Sequence, residues 1–144
     1  MQGTEPSTNV GSYNILLVDD EPSILKSLQR VLRHEGYTVH TANDCMAAID
    51  LMTLYQFAVV ISDYTMPQMT GAELLAVMEL RNPRCIRIML TGATKAQSVP
   101  QPIAESILHC HKFLTKPWDD GALKAMLRQS VAEYDAAAAT GDRG

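Results

Sequence analysis

At 144 residues, with 47% hydrophobic and 19% charged positions, the chain has the size and composition of one compact domain with a sizeable core. A net charge of −4 without a run of lysine and arginine argues against direct nucleic-acid binding and against attraction to an anionic membrane surface. No apolar run approaches the ~18 residues of a membrane span, the opening MQGTEPSTNVGSYN has no leader-like apolar core, and three scattered cysteines, Cys45, Cys85 and Cys110, form no C-x-x-C pair; these features predict reduced thiols in a cytoplasmic protein.

Residues 1–13 are polar and read as a flexible N-terminus. NILLVD (14–19) is then a continuous apolar run closed by acids, the pattern of a strand buried on both faces. Pro22 stands where the first turn of a helix tolerates it, after the candidate caps Asp20 and Glu21. Ile24, Leu25, Leu28, Val31 and Leu32 form one stripe of a first helix, with Gly36 expected at its C-terminal end. YTVHT (37–41) alternates and suits an edge strand, and Asp44 is positioned to cap a second helix reaching about Tyr55, with Ala48, Ile49, Leu51 and Met52 inward.

FAVVIS (57–62) is the most apolar segment and is predicted to be the central strand. Thr70 and Glu73, three apart, make a capping box for a third helix carrying Leu74, Leu75 and Met78. IRIMLT (86–91) is the fourth strand. Pro100 and Pro102 break the start of the fourth helix, leaving about 102–108 regular. HKFLT (111–115) is the fifth strand, followed by a fifth helix with Leu123, Met126, Leu127 and Val131 on one face. The domain is expected over 14–134, with 135–144 a flexible tail or the start of a linker, although the alanine run 136–139 could prolong the last helix.

Strands alternating with helices through short loops imply an open parallel sheet covered on both faces, an α/β architecture whose ligands bind beyond the carboxyl ends of the strands. At that edge lie Asp19, Asp20 and Glu21 after the first strand, Asp63 after the third, Thr91 after the fourth and Lys116 after the fifth. Crowded carboxylates repel unless a cation joins them. A hard divalent ion, Mg²⁺ above all, suits Asp19, Asp20 and Asp63. One carboxylate could then act as a nucleophile toward a phosphoryl group, with the hydroxyl and ammonium holding the other oxygens.

LLVDDEP (16–22), VVISDYTMPQMTGAELL (59–75), IMLTG (88–92) and FLTKPW (113–118), in that order, resemble the receiver domains of two-component response regulators. The resemblance implies a flavodoxin-like sheet of order 2-1-3-4-5, with Asp63 as phosphoacceptor and Asp20 and Asp63 as direct Mg²⁺ ligands. It further implies that Asp19 acts largely through water, that the backbone carbonyl of Thr65 completes the protein ligands, and that Thr91 and Lys116 bind the phosphoryl group. It also implies a switch in which Thr91 moves toward the phosphoryl group and Phe113 turns inward, re-biasing the face of the fourth helix, fifth strand and fifth helix. A cis Lys116-Pro117 bond is expected by the same likeness. The implied partners are a sensor histidine kinase or phosphotransfer protein and a downstream output domain or protein, and a phosphorylation-dependent dimer is compatible with it. Such a domain is a signalling phosphoacceptor that takes up and slowly loses its own phosphoryl group, not a turnover enzyme.

Some features depart from the family. Position 113 is Phe where many members have Tyr, the fourth helix carries two prolines, and Trp118 makes FLTKPW a variant resembling receivers attached to HD-GYP cyclic-di-GMP phosphodiesterases. Simpler readings exist for single residues. The acids at 19–21 could only cap a helix, Thr91 could be a plain strand-end hydroxyl and Lys116 a solvated loop residue. His109 and His111 flank Cys110, but alternate strand positions point to opposite faces, against a metal site, and the eight methionines read as core filler. Two rival functions remain. A haloacid-dehalogenase-type phosphatase would need a second carboxylate at position 65, which is Thr65; a degenerate receiver would serve only for docking, against which the complete acidic set, Thr91 and Lys116 argue.

Overall fold

The computed structural model describes residues 13–64, 66, 69–92 and 110–141. Five strands, β1 (Asn14–Val18), β2 (Thr38–Ala42), β3 (Val59–Asp63), β4 (Ile86–Gly92) and β5 (Lys112–Lys116), form one parallel sheet of order β2-β1-β3-β4-β5. The described helices are α1 (Pro22–Leu32), α2 (Cys45–Leu54), α3 (Gly71–Arg81) and α4 (Asp120–Gly141). The predicted fourth helix, about 102–108, lies outside the described residues, so α4 is the helix expected fifth.

Strand alternation divides the core in two. Ile15, Leu17, Val59, Ile61, Ile88 and Leu90 point to the side where Leu25, Leu28 and Leu32 of α1 meet Leu123, Leu127 and Val131 of α4. Leu16, Val18, Val60 and Met89 point to the other side, against Cys45 and Ala48 of α2 and Leu74, Leu75 and Met78 of α3. Covering both faces is why these strands are runs of β-branched and leucine residues and not alternating ones. β3 is buried along its full length because it is the central strand, as its composition predicts.

The helix starts follow local chemistry. Asp44 Oδ1 accepts the Ala47 N–H at 2.7 Å, and Thr70 and Glu73 complete the expected capping box. α1 differs: of the two candidate caps Glu21 takes the cap position, but its side chain makes no cap bond. Asp19 instead accepts the Glu21 N–H at 2.9 Å, so the acid nearest the strand secures the turn. α1 ends at Leu32, and Gly36 closes the following turn at φ 92, a left-handed value that suits glycine. α4 runs past Tyr134 through the alanine run to Gly141, as the helix propensity of alanine favours. Lys116-Pro117 is cis.

Candidate functional site at the carboxyl edge of the sheet

The register carries each polar residue to one edge. β1 stops at Val18, which pairs with Ser62, so Asp19 emerges beside Asp63. Asp63 pairs with Leu90, which places Thr91 one step further along the neighbouring strand, and Thr91 with Gly92 pair with Thr115 and Lys116. Four strands, β1, β3, β4 and β5, thus bring together residues that are far apart in the chain.

Asp19, Asp20 and Asp63 each offer a carboxylate oxygen within 4.8 Å of the others. Lys116 Nζ lies 3.1 Å from Asp19 Oδ2, 3.2 Å from Asp63 Oδ1 and 3.8 Å from Glu21 Oε1. Asp19 is fully buried and Asp63 nearly so, while Asp20 is exposed. Among the described residues the buried Asp19 Oδ2 meets only the Lys116 ammonium, in an ion pair too poorly aligned to make a hydrogen bond. An acceptor-only oxygen held away from water beside two more carboxylates suits a divalent oxygen-seeking cation. The three acids therefore fit a metal of the Mg²⁺ class.

The electrostatics agree. Burial pushes the Asp63 carboxyl above its ordinary value and the charge of Asp19 adds to this, against the pull of Lys116. Asp19 is raised chiefly by burial, with the Glu21 N–H and Lys116 opposing. For Lys116, burial favours the neutral amine, but the close approach and charge of Asp19 and the charge of Asp63 outweigh it and keep the ammonium form. One lysine shared by two buried carboxylates leaves a site short of positive charge.

Thr91 is buried at the same edge, and Phe113 on β5 is 40% exposed. The Thr65 carbonyl falls outside the described residues, as does His109. The other two residues of the His109-Cys110-His111 run have structural partners, as expected of residues that form no metal site: His111 Nδ1 accepts the Arg87 N–H at 2.9 Å, and Cys110 Sγ lies 2.9 Å from Lys112 O. All three cysteines are free, Cys45 and Cys85 being buried.

One structural contributor escaped the sequence reading. A Cβ on Gly71 would lie 2.2 Å from the Asp63 carbonyl oxygen and 3.0 Å from Tyr64 Cα, and the Gly71 N–H donates to Tyr64 O at 2.7 Å. The first residue of α3 is thus clamped to the backbone that presents Asp63. The available signal was a glycine immediately after a capping threonine, where most residues would serve the helix better.

Known proteins resemble this chain in sequence and in fold. The family described as "Response regulator receiver domain" matches residues 15–128. The chain is 34% identical over 130 residues to the transcriptional regulatory protein GlrR of Escherichia coli, covering 90% of this chain and 28% of that protein. It is 30% identical to the probable transcriptional regulator ycf29 of Pyropia yezoensis, covering 84% and 54%; the chain thus spans about half or less of these relatives. Among solved structures it resembles the signal receiver domain of an HD domain-containing protein from Pseudomonas fluorescens Pf-5, with TM-score 0.81, 35% identity and coverage of 89% and 93%. It also resembles a CheY-like receiver domain protein from Methanospirillum hungatei, with TM-score 0.78, 25% identity and coverage of 86% and 97%. A family match over most of the chain, on a sheet of this order with this acidic edge, means that the chain belongs to the receiver domains of response regulators.

Proposed function

We propose that this domain accepts a phosphoryl group on Asp63 from a phosphohistidine donor, a sensor kinase or phosphotransfer protein, and passes the signal to an output domain or protein. The observation that carries the reading is the shared ion pair: Lys116 Nζ sits between Asp19 Oδ2 and Asp63 Oδ1, and the buried Asp19 Oδ2 gains no aligned hydrogen bond from it. Asp19, Asp20 and Asp63 would hold Mg²⁺, with the Thr65 carbonyl as a further ligand. Bound there, the ion supplies positive charge to a phosphoryl oxygen.

This chain's residues carry the rest. Asp63 brings the attacking carboxylate oxygen, which needs no deprotonation at neutral pH. An O–P bond forms as the donor P–N bond breaks, and the electron pair leaves with the imidazole nitrogen. Lys116 holds the ammonium that meets the growing negative charge, and the Thr91 hydroxyl donates to a phosphoryl oxygen. Phosphorylation brings almost two negative charges and three acceptor oxygens to the tip of β3. Thr91 and Lys116, on β4 and β5, are drawn toward them, Phe113 turns into the space released, and the face of β5 and α4 takes a new bias. The domain acts as a switch and not as a turnover enzyme, and the phosphorylated face is open to pairing with a second copy.

Intact mass after incubation with acetyl phosphate and Mg²⁺ tests the assignment. The expected result is a gain of one phosphoryl group that is lost slowly, needs Mg²⁺ and disappears in Asp63→Asn. A gain that persists in Asp63→Asn moves the acceptor elsewhere, and sustained hydrolysis of p-nitrophenyl phosphate makes the site a phosphatase.

A further inference from the structure

Among the described residues the end of the sheet farthest from β5 is open: β2 pairs only with β1, and its sequence, TVHTA, has no proline and no Lys, Arg, Asp or Glu, so it lacks the usual residues that block an edge. Thr38 donates to Tyr13 O, and Ala42 O accepts from Asp19, both toward β1. Strand alternation then directs the N–H and C=O groups of Val39 and Thr41 outward.

Beside this edge, on the α1 side of the sheet, runs a groove of about 410 Å³ with Leu32, Tyr37 and Val39 in its lining and Lys26, Arg30 and Arg33 along its rim. The three cations stand at i, i+4 and i+7 of α1 and continue just past its end, one row about 10 Å long. They are scattered in the sequence, which is why no basic cluster is visible there. All three are exposed, and among the described residues none pairs with an acid. Glu35, just beyond the helix, is held by Arg128 and Lys124 of α4. The row is therefore an unneutralised cationic strip on a chain of net charge −4. On the opposite side of the same edge, His40 stacks at 4.3 Å on the half-exposed ring of Tyr55.

From this juxtaposition we infer that the β2 edge is a docking site for an extended, alternately acidic and apolar segment of a partner protein, added as a sixth strand. Alternate side chains of an added strand fall on opposite faces. One set would lie under Lys26, Arg30 and Arg33 and is selected for carboxylates; the other would lie beside His40 and Tyr55 and is selected for apolar groups. Main-chain bonds to Val39 and Thr41 supply affinity, and the two strips supply specificity. A second copy of this chain fits poorly, because antiparallel β2-to-β2 pairing about an axis normal to the sheet brings two cationic rows together.

The test uses the whole chain and a fluorescein-labelled peptide of alternating Glu and Val, read by fluorescence anisotropy and by amide shifts. Binding should perturb the Val39 and Thr41 amides, weaken with salt, and fall by roughly tenfold or more in the triple variant Lys26→Glu, Arg30→Glu, Arg33→Glu. Because those side chains are exposed, the variant should keep its wild-type circular dichroism. If its spectrum changes, a peptide N-methylated on its edge-facing amides, tested on the unaltered protein, gives the second reading and should also bind at least roughly tenfold more weakly. Equal binding of the N-methylated peptide, no binding of the parent peptide, tighter binding of a DNA duplex, or concentration-dependent self-association through β2 would each overturn the inference.

Discussion

Gly71 is the residue whose side-chain absence matters most to the acidic edge. Gly71→Ala places a methyl 2.2 Å from the Asp63 carbonyl oxygen, so either α3 or the tip of β3 must shift. The expected cost is about 1–3 kcal/mol in urea unfolding, with acetyl phosphate labelling of Asp63 slowed roughly tenfold by the displaced carboxylate. A wild-type labelling rate in Gly71→Ala would mean that the helix, not the acceptor, absorbs the shift. Lys116→Met leaves the carboxylates of Asp19 and Asp63 without the ammonium they share. It should therefore increase the gain in thermal stability on adding Mg²⁺, because the cation then meets charge that nothing else offsets. Asp63→Asn should reduce that gain, and thermal melts of the three proteins with and without the ion distinguish these outcomes.

Secondary elements carry their own tests. The α3 capping box joins Thr70 and Glu73 in both directions, so Thr70→Ala should lower stability by about 1 kcal/mol. β4 and β5 meet just before their ladder begins through His111, whose Nδ1 accepts the Arg87 N–H and whose own N–H donates to Arg87 O. Burial, aided by the Arg87 charge, holds the His111 pKa below the ordinary histidine value. A base with a lowered folded pKa binds more protons unfolded than folded. Its stabilising effect is complete above the unfolded value of about 6.5 and declines as pH falls through it. Wild-type urea midpoints should fall from about pH 7.5 to about pH 5.5, and fall less in His111→Gln; equal slopes would remove His111 as the source. The effect is modest because the residue is exposed on one side.

Over the whole molecule, the acidic edge exists because separate strands stop at matching heights, and a phosphoryl mimic at Asp63 should accordingly act through β4 and β5 on α4. Addition of beryllofluoride with Mg²⁺ is expected to shift amides of Phe113 and of α4 while leaving the distant α2 nearly unchanged; unchanged α4 amides would sink the proposed switching face. Much of this organisation was readable in the chain. The apolar runs closed by Asp63 and by Asp19 marked two inner strands, the Thr70-Glu73 pair marked a helix start, and the ordered motifs identified the family, because hydrophobic periodicity and capping are local properties. Local signals offered both Asp20 and Glu21 as caps; Glu21 takes the position without a side-chain bond and Asp19 secures the turn, since sequence alone does not tell which of three adjacent acids a turn will bury. The sequence placed Asp19, Asp63 and Lys116 at one edge, but the sharing of one ammonium by two buried carboxylates, the clamp of Gly71 on Asp63, and the alignment of Lys26, Arg30 and Arg33 beside the β2 edge were settled only by tertiary structure. Strand register and helix phase bring together residues that the chain keeps apart, and those distances depend on the packing of both sheet faces and not on any single segment.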